Sequence, residues 1–389
     1  MNKKALGILF AVMFLVMLGF GIIIPVMPFF AEELGASPFQ LGLLMASYSV
    51  MQFLFAPFWG GVSDRIGRKP VILIGISGLS LSFFLFAMSD QLWMLFASRI
   101  LAGFLSSANM PTVMAYVADI TSPENRGKGM GMIGAAVGLG FIFGPAIGGI
   151  FSAESYATPF LIAGIVSAIT FLFVMFVLQE SLPPEKRVQK GSATASRWSA
   201  FSGSLSILYV LMFVVSFSLA ALEGTFAYFA AEKAGLDTVH LGYIFMIMGL
   251  CGAFVQGGLV GRLIKQRGEG AVIQIGLVVS AIGFGLILLT SSFWTAALFL
   301  SIFGIGNGLI RPAVSALITK RTTVGQGQAT GLLSSFESLG RIGGPPIGGA
   351  VYALSIGYPY IAGIILSALA FILYRVYVAR AGEAQAANS

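Results

Sequence analysis

The chain is short of charge, histidine and cysteine, and each shortage removes a class of protein. Only 10% of its 389 residues are charged, well under the roughly one quarter that a soluble domain carries. A water-soluble fold is thereby excluded. One cysteine, Cys251, permits no internal disulfide and no cysteine-ligated cluster, and one histidine, His240, leaves little for a metal or haem site. His-Glu-x-x-His is missing, as are Gly-x-Ser-x-Gly with downstream partners and the nucleotide-binding Gly-x-x-x-x-Gly-Lys-Ser/Thr. The expectation is therefore no enzyme, no metal, no cofactor and no direct use of ATP.

What the chain has instead is apolar length. Hydrophobic residues make up 57% of it, with 50 glycines, 34 phenylalanines and a mean hydropathy of +0.93. A spanning helix needs about 20 apolar residues, and glycine is tolerated in such helices because it lets backbones approach. β-barrel strands would be about ten residues long with alternating polarity, which the long runs exclude. Six spans are predicted at 5–30, 41–62, 71–89, 92–118, 129–151 and 157–178, and six more at 204–231, 240–262, 271–290, 293–318, 328–353 and 357–378. The first is too long for a signal peptide, ends in Pro25 and Pro28, and is kept as a span. The fold class is an all-α membrane protein with twelve transmembrane helices in two six-helix pseudo-symmetric halves.

A net charge of +7 would point to nucleic acid in a soluble protein, so the position of the charges decides its meaning. Of 22 basic residues, 18 fall in the termini and in loops on the N-terminal side, and only Lys233 falls in the opposite loops. The positive-inside rule then places both termini in the cytoplasm, and no nucleic-acid partner is implied. The Pro-, Ser- and Lys-containing segment 180–203 reads as a cytoplasmic linker between an N-terminal half, 1–179, and a C-terminal half, 204–389.

A glycine and proline pattern occurs twice. Gly131, Gly140, Gly144, Pro145, Gly148 and Gly149 recur as Gly331, Gly340, Gly344, Pro345, Gly348 and Gly349, each 200 residues later. Two homologous halves in the same topological sense follow, with a binding site expected between them. The pattern reads equally as a smooth, bent packing face and as a helix controlling how the halves rock.

Several motifs together resemble the major facilitator superfamily, in its twelve-span drug/proton antiporter branch. Gly60 to Lys69 matches Gly-x-x-x-Asp-Arg-x-Gly-Arg-Lys, Arg99 to Gly103 matches Arg-x-x-x-Gly, and Gly140 to Gly149 matches the antiporter motif Gly-x-x-x-Gly-Pro-x-x-Gly-Gly. Leu18-Gly19 with Pro25 and Pro28 resembles a motif of twelve-span exporters, and Leu222-Glu223 with Ile310-Arg311-Pro312 is similar to bacterial multidrug efflux antiporters. The second-half counterpart, Gly257 to Arg262, lacks the aspartate. Asn307 and Gly308 stand where some such exporters carry an acid, and Glu337 with Arg341 lies outside the multidrug pattern. The resemblance implies that Asp64, Arg65, Arg68 and Lys69 latch the halves by ion pairing, beside a topological role for their positive charge, and that Arg99 takes part in proton relay; Gly144 and Pro145 of the bent helix are the further gating candidates.

Five charges fall inside spans: Arg99, Arg311, Arg341, Glu223 and Glu337. Such residues are expensive in a bilayer and mark function. Glu223 has no basic residue within two turns on its own helix, so it is expected to exchange protons; the bland alternative is a carboxylate in a wet vestibule. Glu337 and Arg341 are spaced to pair on one helix face, or Arg341 points to another helix and Glu337 becomes a second proton carrier. Arg311 precedes a proline that frees a carbonyl, so a backbone contact stands beside a substrate role. Sparse polar residues, Tyr48, Gln52, Asn109, Gln256 and Asn307, among many Phe and Met fit a greasy cavity for bulky amphipathic compounds.

The expected function is a proton-coupled exporter of lipophilic, cationic drugs working by rocker-switch alternating access, monomeric in the cytoplasmic membrane. Glu223, Arg99 and Glu337 are the coupling candidates. Gln52, Tyr48, Asn109, Phe226 and Arg311 are the substrate-binding candidates. A narrower exporter of a tetracycline-like antibiotic, a sugar or a metabolite is the alternative, although only four tryptophans argue against a sugar.

Overall fold

A computed structural model describes residues 3–187, 205–322 and 325–386. Residues 188–203 of the expected linker lie outside the described residues. Helices dominate, since in lipid every backbone N–H and C=O must be satisfied within its own segment. They are α1 (Lys3–Glu33), α2 (Pro38–Ile66), α3 (Arg68–Ala87), α4 (Leu92–Ser106), α5 (Asn109–Ile120), α6 (Pro123–Phe151) and α7 (Thr158–Val177). The second set comprises α8 (Leu205–Ala234), α9 (Thr238–Phe254), α10 (Val260–Ile287), α11 (Phe293–Arg321), α12 (Gln326–Leu354) and α13 (Tyr358–Ala386).

Twelve spans account for these thirteen helices. The fourth span is interrupted where α4 and α5 meet. A π turn, Val255–Leu259, joins α9 to α10, so 238–287 runs as one helical stretch. It breaks into two spans at Gly268, whose φ of 78° lies in a region open mainly to glycine. Among the described residues, ten helical stretches are long and apolar enough to cross a membrane. α12, which carries Glu337 and Arg341, is not among them, yet its 29 residues are long enough to span.

The chain forms two compact units. Unit 1 comprises 1–37, 43–193 and 237–246; unit 2 comprises 38–42, 194–236 and 247–389. The first turns of α2 and α9 thus group apart from the rest of those helices. In unit 2, Leu208, Tyr209, Val272, Ile310, Val314 and Tyr374 anchor one buried cluster. In unit 1, Trp59 donates from Nε1 to the Phe104 carbonyl at 2.7 Å and packs on Val71 and Ala108. Phe176, Phe254 and Trp294 project outward, the inverse of a soluble surface.

The repeated glycines hold each unit together. Gly140, Gly144 and Gly148 of α6 press on the backbone of Phe14, Leu18 and Ile22 in α1. Gly340, Gly344 and Gly348 of α12 press in the same way on Phe213, Phe217 and Ala221 in α8. A Cβ at any of these six would meet a neighbouring helix whose backbone cannot move aside. Of the two remaining pairs, Gly131 and Gly331 face open space, while Gly149 lies on Thr238 and Val239 within unit 1 and Gly349 on Pro38 and Phe39 within unit 2.

Candidate functional site

At one end of unit 1 the α2–α3 turn gathers a charged network. Gly67 turns the chain with φ 109°, which sends Arg68 back into the protein. Its Nη1 donates to Asp64 Oδ1 at 2.5 Å and to Ser63 Oγ at 2.8 Å, while Nε donates to Asp119 Oδ2 at 3.1 Å. One guanidinium so joins α2, α3 and α5. Arg65 is exposed and stands outside this network. Glu180, just past α7, accepts from the backbone N–H of Arg68 at 2.9 Å and of Lys69 at 3.1 Å. It caps the positive end of α3, where free N–H groups favour an anion. Ser181 donates to Asp119 at 2.9 Å, and the Tyr116 hydroxyl donates to the Gln179 carbonyl.

Deeper in unit 1, Arg99 of α4 is 3% exposed. Its guanidinium lies 4.6 Å from the centre of the Tyr48 ring, and its Nε has no hydrogen-bond partner. No carboxylate comes within ion-pair distance among the described residues, so the π face is the counter-charge on view. Tyr48 also meets Ser106, its hydroxyl 3.3 Å from Oγ. Gln52, one turn along α2, is half-buried. Asn109 is fully buried against Gly75 of α3, its amide without a partner.

In unit 2 the other four embedded charges form two pairs between helices. Arg311 of α11 reaches Glu337 of α12: Nη2 donates to Oε2 at 3.0 Å, and Nε stands 2.6 Å from Oε1, off the hydrogen-bonding direction. Arg341 of α12 turns toward α8, where its Nη1 lies 3.9 Å from Glu223 Oε2. Glu337 and Arg341 therefore do not pair with each other, although their spacing allowed it. Glu223 has a cation in reach, supplied by a helix more than a hundred residues away. Phe226, one turn on from Glu223, is wholly buried in the unit's packing. A narrow recess in unit 2 is bounded in part by Ser218, Ser280, Asn307 and Ser367.

Comparison with known proteins follows this architecture. The family model described as Major Facilitator Superfamily matches residues 9–322 and 258–388. The chain belongs to the major facilitator superfamily. It is similar to Multidrug resistance protein 2 of Bacillus subtilis, 34% identical over all of this chain and 98% of the relative. It is 30% identical to Quinolone resistance protein NorA of Staphylococcus aureus, over 96% of each chain. Among solved structures, the human organic anion transporter MFSD10 matches with a TM-score of 0.71 at 27% identity, over 96% of this chain and 99% of that one. The chain is accordingly a multi-pass membrane transporter.

As a member of the superfamily the chain shows what its motifs left unsaid. Glu180 opens the segment read as a linker, and nothing in its spacing from Arg68 announces a cap on α3. The signal was present only as an acid just past a span. Gln256 stands in the π turn, its amide nitrogen 3.7 Å from where a Cβ at Gly308 would sit. Both cross-helix ion pairs depend on which way Arg311 and Arg341 turn, which periodicity does not specify.

Proposed function

We propose that this superfamily member is a proton-coupled efflux transporter of lipophilic drugs. It works by alternating access, with the proton gradient as energy source and no bound cofactor. The protein acts as a monomer in the cytoplasmic membrane with both termini inside, as the 18 basic residues on one side support. Full-length relatives named for multidrug and quinolone resistance support export of drugs of more than one class.

The observation that carries this reading is Glu223. It is 4% exposed at the middle of α8, and its one described charge partner is a 3.9 Å contact with Arg341. That distance is too long for a hydrogen bond, so the carboxylate is lightly held and free to take up and release a proton. Glu337 is paired with Arg311 across helices, at 2.6 Å and 3.0 Å, and so has a much closer cation than Glu223. In the exporting cycle an ionised Glu223 draws a cationic or hydrogen-bonding substrate, and protonation from outside releases it. Arg99, buried over Tyr48, contributes the fixed positive charge of unit 1.

Inverted vesicles with an imposed pH gradient and a fluorescent cationic dye test the assignment. Wild-type protein accumulates dye as protons leave, and Glu223→Gln retains dye binding while losing at least tenfold in gradient-driven uptake. Uptake undiminished in Glu223→Gln would remove Glu223 from the coupling step.

A further inference from the structure

The α2–α3 turn of unit 1 has a counterpart in unit 2 that the loop motif does not reveal. Gly67 and Gly268 each break a helical stretch with a similar backbone, φ 109° and ψ 163° in one, φ 78° and ψ 161° in the other. They stand 201 residues apart. Over that same interval Asp64 is matched by Lys265, Arg68 by Glu269 and Asp119 by Lys320. All three charges are reversed.

The contact survives the reversal. In unit 1, Arg68 Nε meets Asp119 Oδ2 at 3.1 Å, tying the start of α3 to the last turn of α5. In unit 2, Lys320 Nζ donates to Glu269 Oε1 at 3.2 Å, tying the stretch after the Gly268 break to the last turn of α11. α13 backs both partners: the Tyr374 hydroxyl lies where a Cβ at Gly270 would sit, and the Arg321 guanidinium lies 5.9 Å from the centre of the Tyr377 ring.

Polarity is what differs. A helix start carries partial positive charge and a helix end partial negative charge. Unit 1 sets a cation at the start of α3 and an acid in the last turn of α5, so both charges oppose their helices, and Glu180 comes from beyond α7 to cap α3. Unit 2 sets the acid where the helix restarts after Gly268 and the cation in the last turn of α11. Both are favoured there, so this pair resists opening more than its counterpart does.

We infer that Glu269 and Lys320 form a clamp of inverted polarity, which stays closed while the Arg68 latch of unit 1 opens and closes during transport. They are positioning residues, holding the end of α11, the helix that carries Arg311, against the start of the helix after Gly268. The role in transport rests on the efflux reading; the clamp itself does not.

Amide hydrogen exchange on the full-length protein in lipid nanodiscs tests the clamp. Glu269→Arg leaves cations at all three positions, and exchange in the last turn of α11 is expected to rise about threefold, the scale of one partly exposed ion pair. The triple variant Lys265→Asp, Glu269→Arg and Lys320→Asp gives unit 2 the charges of unit 1. Its exchange should fall between the single variant and the wild type, because the pair returns but opposes both helix ends. Exchange unchanged in Glu269→Arg, or a triple variant matching either the single variant or the wild type, overturns the inference. Adding a fluorescent cationic dye should alter exchange in the last turn of α5 and not in that of α11; equal changes would show that the clamp opens too, and overturn it. In the vesicle assay Glu269→Gln should slow initial dye uptake about threefold at unchanged dye affinity, while Lys320→Arg keeps the wild-type rate. A wild-type rate in Glu269→Gln would overturn the part of the clamp in transport. A wild type that carries no dye would instead overturn the efflux reading and leave the exchange result standing.

Discussion

The two units share a scaffold and differ in where they keep charge. α1 against α6 and α8 against α12 are built from the same glycines pressing on a neighbouring backbone. On that scaffold unit 1 places a network at its end, Asp64, Arg68 and Asp119, and one buried arginine with an aromatic face. Unit 2 lacks the loop aspartate and has two ion pairs at mid-depth. Packing needs small residues at fixed intervals in both units alike. Charges are free to diverge once the packing is met, so they record how the units specialised.

If the scaffold is shared, breaking it should hurt both units equally, and this is the largest effect expected. Gly144→Val and Gly344→Val each add side-chain atoms where a helix backbone already sits, destabilising by about 3 kcal/mol. Thermal unfolding of the purified protein should show similar drops for both. A drop in one alone would mean that the repeat is not a common packing device.

The arginine latch should be one-sided. Arg68→Lys cannot keep three contacts to three helices, and transport is expected to fall about tenfold, the loss of roughly one charge-assisted hydrogen bond. Arg262→Lys, in the matching loop of the unit without an aspartate, should stay within twofold. Initial rates in the vesicle assay separate the two, and equal losses would dissolve the asymmetry.

Glu180→Gln sharpens the same comparison at a smaller scale. It removes the charge that caps α3 beside Arg68, with an expected loss of about 1 kcal/mol and a several-fold slower transport rate. A thermal shift with unchanged rate would restrict Glu180 to stability.

The smallest effect concerns the start of α9. Burial pushes the Asp237 carboxyl up, but hydrogen bonds from the backbone and ring of His240, the charge of that ring and the Val239 N–H outweigh it. The net result lies below the usual aspartate value. A group depressed on folding contributes stability above its unfolded pKa, about 4, and loses it as pH falls through the folded value. Asp237→Asn should therefore narrow the gap to wild-type stability below pH 4 and leave it widest near neutrality. Ser37, the residue at the matching position before α2, has no such titration. Melting curves across pH 3 to 7 would show the convergence.

Much of this architecture is legible in the sequence because membrane constraints are one-dimensional. Segment length, the side on which Lys and Arg collect, and the doubled glycine pattern need no knowledge of neighbours. The same holds for the Asp64 to Arg68 motif, whose members lie four residues apart and meet as an i,i+4 pair. Asn109 and Phe226 show the limit: both are of the right type for a cavity wall, and both are fully buried within their own units. Residue type does not say which face of a helix is packed when nearly every residue is apolar.

By itself, then, the sequence determined the membrane class, the count of spans, the two-fold repeat and the five embedded charges. Scarcity made each charge visible. Only the tertiary structure decided their partners. Arg341 turns to Glu223 on α8 instead of Glu337 on its own helix, and Arg311 claims Glu337 from α11. Long side chains can reach several helices, and the packing of α8, α11 and α12 determines which carboxylate lies within that reach.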